Sequence, residues 1–265
     1  VPELMAGLAA ARELALVGAS RKAALAVTVT QSAEGLDVSV RQGKPLDAPL
    51  RQELAQHCQR LGLARLTWEG EVIAMRAPPH QVFGPARVVP PPGAFLQATA
   101  DGEAALVAAV AEAVGSAAKV IDLFAGCGTF ALPLARHAEV WAVEGDRDMI
   151  QALDQGWRQA KGLKMLRSDA RDLFRRPLLP DELNTADAVV LDPPRAGAEA
   201  QVAELASSTV PRIAYVSCNP ATFARDALAL VGAGYVLDWV QVVDQFRWSS
   251  HIELVAAFSI THMRT

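Results

Sequence analysis

From Lys119 to Val216 the chain repeats one pattern: a short apolar run, a polar loop, then a stretch with helical periodicity. No other feature restricts the fold as much. Apolar runs joined through helices pair as parallel strands, with helices on both faces of the sheet. Strands are expected at residues 119–123, 139–143, 164–166, 186–191 and 212–216, preceded by a helix over 99–114. Two last runs, 235–243 and 253–260, have no helix between them and are expected to close as an antiparallel hairpin. The fold class that follows is α/β. It is a doubly wound, Rossmann-like sheet over residues 95–265, mostly parallel with its last strand antiparallel.

Residues 1–94 have a different texture. A helix is expected over 2–16, where Leu4, Leu8, Ala11 and Ala15 share a face. Runs at 24–30 and 36–41 suggest a hairpin around Glu34-Gly35, and 63–68 and 71–76 a second around Glu69-Gly70. Between them, 48–61 reads as a helix ended by Gly62. Pro78-Pro79 and then Pro90-Pro91-Pro92-Gly93 punctuate the chain, the second marking a domain boundary. The result is a small α+β domain without a cluster of chemistry.

Charge is uneven. Residues 1–95 carry ten Lys/Arg against eight Asp/Glu, and 96–265 carry fifteen against twenty-one. A basic face for nucleic acid is therefore expected, if anywhere, on the first domain. With 51% hydrophobic and 20% charged residues the chain is globular rather than disordered. No apolar run approaches the ~20 residues that cross a bilayer, and no charged-then-apolar leader opens the chain. No membrane partner and a cytoplasmic location are expected. Cys58, Cys127 and Cys218 are too widely spaced for a local metal or iron–sulfur cage and are expected as reduced thiols. The first residue is Val rather than Met, as in a processed or excised piece of a longer protein.

In open α/β sheets, ligands bind beyond the carboxyl ends of the strands. Five expected strands carry a polar residue there: Asp122 with the loop Phe124 to Thr129, then Glu144, Asp169, Asp192 and Cys218. Turns favour Asp on their own account, but five such residues at one edge define a site. The run Gly126-Cys127-Gly128-Thr129-Phe130-Ala131 fits the G-x-G-x-x-G/A dinucleotide pattern, which would make a dehydrogenase. A pyrophosphate needs an anion-friendly pocket, whereas Asp122 puts a carboxylate beside that loop. A cofactor with a sulfonium and an ammonium group gains from Asp122. Glu144 suits ribose hydroxyls and Asp169 an adenine amino group, so the residues favour S-adenosyl-L-methionine over NAD.

Asp192-Pro193-Pro194-Arg195-Ala196-Gly197 is stiffened by two prolines. It either fixes an acidic side chain against a base-sized ligand or is a rigid turn in which Asp192 caps the next helix. Cys218 lies at a strand–helix turn, with Pro220 at the first helical position. A thiol at a helix N-terminus can have its pKa lowered and act as a nucleophile. The alternative is a small core residue, as many free cysteines are.

Asp122-Leu-Phe-Ala-Gly-Cys-Gly-Thr-Phe130, Asp192-Pro-Pro-Arg-Ala-Gly197 and Ser217-Cys-Asn-Pro-Ala-Thr-Phe-Ala-Arg-Asp226 resemble motifs of the uracil-C5 RNA methyltransferase family, which makes 5-methyluridine in tRNA or ribosomal RNA. Phe95-Leu96-Gln97 resembles that family's Phe-x-Gln element, and His251-Ile252-Glu253 its terminal glutamate motif. The resemblance covers about 95–265, with five elements in order. It implies Cys218 as nucleophile and Glu253 as base. It places Gln97, Phe124, Gly126, Gly128, Thr129, Glu144, Asp169 and Asp192 around S-adenosyl-L-methionine. Phe95, Gln97, Asp192, Pro193, Arg195 and Asn219 would meet the substrate, with Asp192 and Gln97 nearest the uracil. RNA is the implied partner and the chain is expected to act as a monomer. Family members commonly carry an N-terminal RNA-binding barrel and a four-cysteine iron–sulfur motif, and neither lies in these residues. A cluster would belong to a missing N-terminal part.

The implied chemistry explains the residue types. Carbon 5 of uracil is too weak a nucleophile to take a methyl group from a sulfonium directly. Thiolate addition at carbon 6 turns the ring into an enolate whose carbon 5 can attack. A base then removes the carbon 5 proton so that the thiol leaves. Cysteine and carboxylate must therefore flank one ring, and the expected hairpin starts its last strand, with Glu253 first, at the ligand edge. Arg247 and His251 nearby are expected to orient that loop or touch phosphate. The target must be flipped or already unpaired, as in an RNA loop. A cytosine-C5 methyltransferase, which also uses cysteine, and a cofactor-binding fragment without activity remain alternative expectations.

Overall fold

The structure is a computed structural model and describes residues 2–20, 23–246 and 248–260. It divides into two compact units, Val1–Val82 with Arg87–Phe95, and Phe83–Ala86 with Leu96–Thr265. In the first, α1 (Pro2–Gly18) leads to β1 (Ala26–Ser32) and β2 (Gly35–Arg41), then α2 (Ala48–Arg60), β3 (Arg65–Trp68) and β4 (Glu71–Met75). The sheet order is β1-β2-β3-β4; β2 and β3 run parallel across α2, and the outer pairs are antiparallel hairpins. Asp47 caps α2 by accepting from the Leu50 amide at 2.8 Å. Gly62, at φ 63°, ends it as expected, with the Leu63 amide returning to the Cys58 carbonyl. Trp68 is fully buried, and room for its ring comes from Gly18 and Gly43, where a Cβ would lie 2.2 and 2.1 Å from ring atoms. The first hairpin turns at Ala33-Glu34, one residue earlier than expected, because Gly35 already pairs with Ser32.

A two-stranded ribbon, β5 (Gln81–Phe83) and β6 (Ala86–Val88), follows. Its prolines hid it from strand periodicity; the turn falls at Gly84-Pro85, with Gly84 at φ 58°.

The second unit continues with α3 (Ala100–Val114), β7 (Lys119–Leu123), α4 (Ala131–Leu134), β8 (Glu139–Glu144), α5 (Arg147–Gln159) and β9 (Leu166–Ala170). It ends with α6 (Pro180–Leu183), β10 (Ala188–Leu191), α7 (Glu199–Ala206), β11 (Arg212–Ser217), α8 (Pro220–Gly232), β12 (Val236–Val243) and β13 (Glu253–Ser259). The seven strands lie in the order β12-β13-β11-β10-β7-β8-β9. From β11 to β9 every pair is parallel, and β13 is antiparallel to both β11 and β12. The fold is thus the expected α/β sheet, with β13 inserted between its hairpin partner and β11. Side chains such as Ile121, Val189, Ile213, Tyr215 and Phe258 form one apolar core.

The third parallel strand is shifted relative to expectation. The Lys164 amide bonds to the Ala135 carbonyl at 2.7 Å, and the Lys164 carbonyl accepts from Trp157 Nε1 at 3.0 Å. These bonds hold residue 164 outside the ladder, which starts at Leu166 opposite Val140. The fourth strand likewise starts late. The Asp187 carboxylate accepts from the Ala118 and Lys119 amides, both at 2.9 Å. Among the described residues no helix is long and apolar enough to cross a membrane.

Candidate active site at the switch point

The chain winds from β7 to β8 and β9, then returns across the sheet to β10 beside β7. Strand order therefore reverses between β7 and β10, and the crevice there is where such a sheet takes a ligand. Asp122 lies one residue before the end of β7 and is 0% exposed. Among the described residues neither of its carboxyl oxygens has a hydrogen-bond partner of good geometry, the Ala131 amide being a donor too poorly aligned to count as one. Burial first, then Asp192 and Glu144, push its pKa well above the ordinary carboxylate range, although the nearby Ala131 amide opposes them. A buried carboxyl left unpartnered among like charges costs stability unless a cation or donor arrives.

The loop after β7 is shaped by backbone conformation. Gly126 and Gly128 have φ of 53° and 96°, and Phe124, a non-glycine residue, sits at 62°. A Cβ on Gly128 would approach Leu132 Cδ1 to 2.8 Å, whereas one on Gly126 would meet open space. The Phe124 ring tilts against Phe174 at 5.5 Å. Glu144, the last residue of β8, holds this loop by accepting from the Gly126 amide at 3.0 Å and from the Asp146 amide at 2.9 Å. Cys127 faces inward, 3.1 Å from Met149 Sδ, and burial pushes its thiol up to about 12. It is a core residue. Thr129 is half-buried in the same loop.

Asp169 belongs to β9 itself rather than to the loop after it, a consequence of the shifted strand. Its carboxylate is already engaged, accepting from Trp141 Nε1 at 2.8 Å and pairing with Arg167 at 2.5 Å. The Arg167 guanidinium lies 4.3 Å over the Trp141 ring.

Asp192 follows β10, its amide bonded to the Leu123 carbonyl at 3.2 Å. Burial, then Glu253 and Glu144, push its pKa up to about 7. Glu253, the first residue of β13, is 7% exposed, and burial raises its pKa against the pull of Arg195. Cys218 stands in the turn between β11 and α8 and is half-buried. Its thiol feels Glu253, Asp192 and Arg195 together. The expectation of a lowered thiol pKa does not hold. Burial, Glu253 and Asp192 raise it, and Arg195 and its own backbone only partly offset them. Arg195 also reaches His251 Nδ1 at 3.3 Å, and the Asn219 amide group donates to the Arg195 carbonyl at 2.9 Å. Pro193 is buried beside Asp192.

The expected residues Asp122, Glu144, Asp192, Arg195, Cys218, Asn219 and Glu253 thus gather at one edge. Phe95 belongs to the first unit and is 81% exposed. Arg247 lies outside the described residues. Gln97 is fixed by a residue the sequence reading passed over. Gln245 donates from Nε2 to Gln97 Oε1 at 3.0 Å and accepts from the Thr99 amide at 3.2 Å. An amide N–H only donates, so Gln245 must point its oxygen at Thr99, and the Gln97 NH2 remains as that side chain's free end. Asp226 was also missed, although an acid among Phe223, Ala227 and Leu230 on the inner face of α8 is a readable signal. Among the described residues no group of His, Cys, Asp and Glu has metal-holding geometry. An unpartnered buried carboxyl amid three further acids suits a cation with hydroxyls and amine donors.

Comparison with known proteins agrees with this picture. The profile of the tRNA (Uracil-5-)-methyltransferase family matches residues 90–259. A Mesorhizobium japonicum protein described as an uncharacterized RNA methyltransferase is 49% identical over 258 residues, 97% of this chain and 62% of that protein. A 23S rRNA (uracil(1939)-C(5))-methyltransferase of Pseudomonas fluorescens is 41% identical over 174 residues, 63% of this chain and 37% of that enzyme. The chain spans about three fifths of the length of its more similar relatives. The crystal structure of Pyrococcus abyssi tRNA (uracil-54, C5)-methyltransferase in complex with S-adenosyl-L-homocysteine superposes with a TM-score of 0.77, at 22% identity, covering 96% of this chain and 65% of that one. That likeness supports the fold, and the profile over most of the second unit supports the lineage. The chain belongs to the tRNA (uracil-5-)-methyltransferase family.

Proposed function

We propose that this chain transfers a methyl group from S-adenosyl-L-methionine to carbon 5 of a uridine in structured RNA, rRNA or tRNA, through a covalent Cys218 adduct at carbon 6. The observation that carries the reading is the single edge where Cys218, Glu253, Asp192 and Arg195 act on one another's charge beside the unpartnered Asp122. Asp122, Glu144, Asp169, the 124–129 loop and Asp192 would hold the cofactor, whose sulfonium supplies the methyl group. Cys218 adds to carbon 6, with Arg195 as the positive charge that favours its thiolate. The half-buried Asn219 borders the ring, and Asp192 and Gln97 face its polar edge. Glu253, whose carboxylate burial makes more basic, takes the carbon 5 proton as the Cys218–carbon 6 bond breaks. The free NH2 of Gln97 suits a carbonyl oxygen of uracil rather than the amino group of cytosine. Residues 1–94 are assigned RNA contact and the active species is a monomer.

The test uses RNA carrying 5-fluorouridine, which has no carbon 5 proton to lose and so holds the adduct. The wild-type chain with cofactor is expected to form it, and Cys218→Ala to form none; an adduct in that variant would remove the nucleophile assignment. Glu253→Gln is expected to accumulate methylated adduct on ordinary RNA. A nucleoside digest showing methylcytidine alone would select the cytosine reaction. Cofactor binding without transfer to any RNA would make the chain a binding fragment.

A further inference from the structure

The loop 195–198 and the first two turns of α8 are joined by more hydrogen bonds than a covering turn requires. Thr222 Oγ1 shares its one proton between the Arg195 carbonyl at 3.2 Å and the Asn219 carbonyl at 3.1 Å, beside the Asn219 bond to the Arg195 oxygen. Arg225 Nη2 donates to the Ala196 carbonyl at 3.2 Å. The Ala198 amide donates to Asp226 Oδ2 at 2.8 Å. Asp226 is 1% exposed and also accepts from the Tyr215 hydroxyl at 2.5 Å and from Arg225 Nε at 2.8 Å. Residues 222, 225 and 226 share one helical face. Gly197, at φ 79°, completes the fit: a Cβ there would lie 2.6 Å from Arg225 Nη2 and 2.8 Å from Asp226 Oδ2. This helix starts directly after the Cys218-Asn219 turn, and the loop it grips carries Arg195.

We propose that Thr222, Arg225 and Asp226 form a clamp of positioning residues that sets the Arg195 guanidinium in place beside the Cys218 thiol. The inference rests on the reading of Cys218 as nucleophile. Asp192, at the other end of the same loop, is held separately through its amide to Leu123 and by the pairing of β10. Loosening the clamp therefore leaves Arg195 held only by Asn219 at its carbonyl and His251 at its guanidinium, free to shift with the 195–198 backbone, and leaves Asp192 and Glu253 where they are. Cys218 then loses the positive charge of Arg195 while keeping the negative charges of Glu253 and Asp192 and its own backbone contact.

The measurement is the pH profile of iodoacetamide alkylation at Cys218, read by peptide mass, in the wild-type chain and in Thr222→Val, Arg225→Met and Asp226→Asn. Cys58 and Cys127 are 1% and 2% exposed and serve as internal folding controls. In variants that keep them protected, the Cys218 midpoint is expected to rise by about half a unit or more, and 5-fluorouridine adduct formation to slow by about tenfold, with little change in cofactor affinity. A midpoint that stays in place or falls while Cys58 and Cys127 stay protected overturns the clamp's positioning role and leaves it structural. Should Asp226→Asn expose the buried thiols, the two milder variants decide. A wild-type chain that forms no adduct overturns the nucleophile reading instead, and the alkylation profile still reports where Arg195 stands.

Discussion

Asp122 shows most directly what a buried acid among like charges does to stability. Its oxygens are sealed from water with no well-formed hydrogen bond among the described residues, and they lie near Asp192 and Glu144. The folded chain therefore bears a cost of burying an ionisable group among like charges that a neutral amide would avoid. Asp122→Asn is expected to raise the stability of the second unit by about 1–3 kcal/mol while weakening S-adenosyl-L-methionine by tenfold or more. Thermal unfolding and titration calorimetry would show both; a variant that binds undiminished would separate Asp122 from the cofactor. Asp192 makes a related statement about pH. Its pKa is about 7 in the folded protein against an ordinary 3.8. Between those values the native state holds a proton that the unfolded chain has released, so stability is lost as pH rises through that window. Asp192→Asn is expected to flatten this slope and to be the more stable form at pH ~8, by on the order of 1–3 kcal/mol, in denaturant titrations across the range. If Asp192 meets the cofactor as proposed, S-adenosyl-L-methionine affinity in the wild type is expected to run the other way, rising with pH as Asp192 becomes an anion.

At the scale of elements, the site depends on loops held by their neighbours. Gly197 combines a left-handed backbone with contact to the Asp226 carboxylate, so Gly197→Ala is expected to cost more than about 2 kcal/mol by denaturant unfolding. Gln245 performs the same service between the β12–β13 connection and the segment before α3. Gln245→Leu removes the donor that fixes the Gln97 amide. It is expected to lower kcat/KM for uridine by about tenfold, one hydrogen bond's worth, with the fold intact. Unchanged kcat/KM would place Gln97 away from the base. The 99–114 helix, the 48–61 helix and the last hairpin were legible because periodicity, caps and the absence of a helix each act locally. The β5–β6 ribbon was not, since prolines and three-residue strands leave no periodic trace. The late starts of β9 and β10 come from bonds to residues far along the chain, from Lys164 to Ala135 and from Asp187 to Ala118.

For the whole molecule, the two units have separate cores. The buried pair in the first unit, Arg65 with Asp37 at 2.6 Å and Arg65 with the Pro90 carbonyl at 2.8 Å, ties its sheet to the proline segment. Asp37→Asn leaves a buried guanidinium without its countercharge and is expected to cost the first unit about 3–5 kcal/mol. Limited proteolysis would then cut within that unit while cofactor binding persists. Loss of binding in step with the cuts would mean that the second unit does not hold its site alone.

Strand–helix alternation, an acid or thiol after each strand, and a final run beginning with Glu253 were all present in the chain order. These features are local or repeat at fixed spacing, and they were enough to place the site on one edge of the sheet. The state of each group was decided only by tertiary structure. Cys218 sits at a helix N-terminus, yet its thiol is held up because folding buries it and brings the charges of Glu253 and Asp192 to bear on it. One oxygen of Asp169, Oδ2, is engaged because Trp141 from the neighbouring strand and Arg167 from its own strand converge on it. Asp226 became a hub because folding lays the 195–198 loop over α8. Proton affinity and hydrogen-bond saturation depend on which groups meet across the fold, and sequence order does not contain those distances.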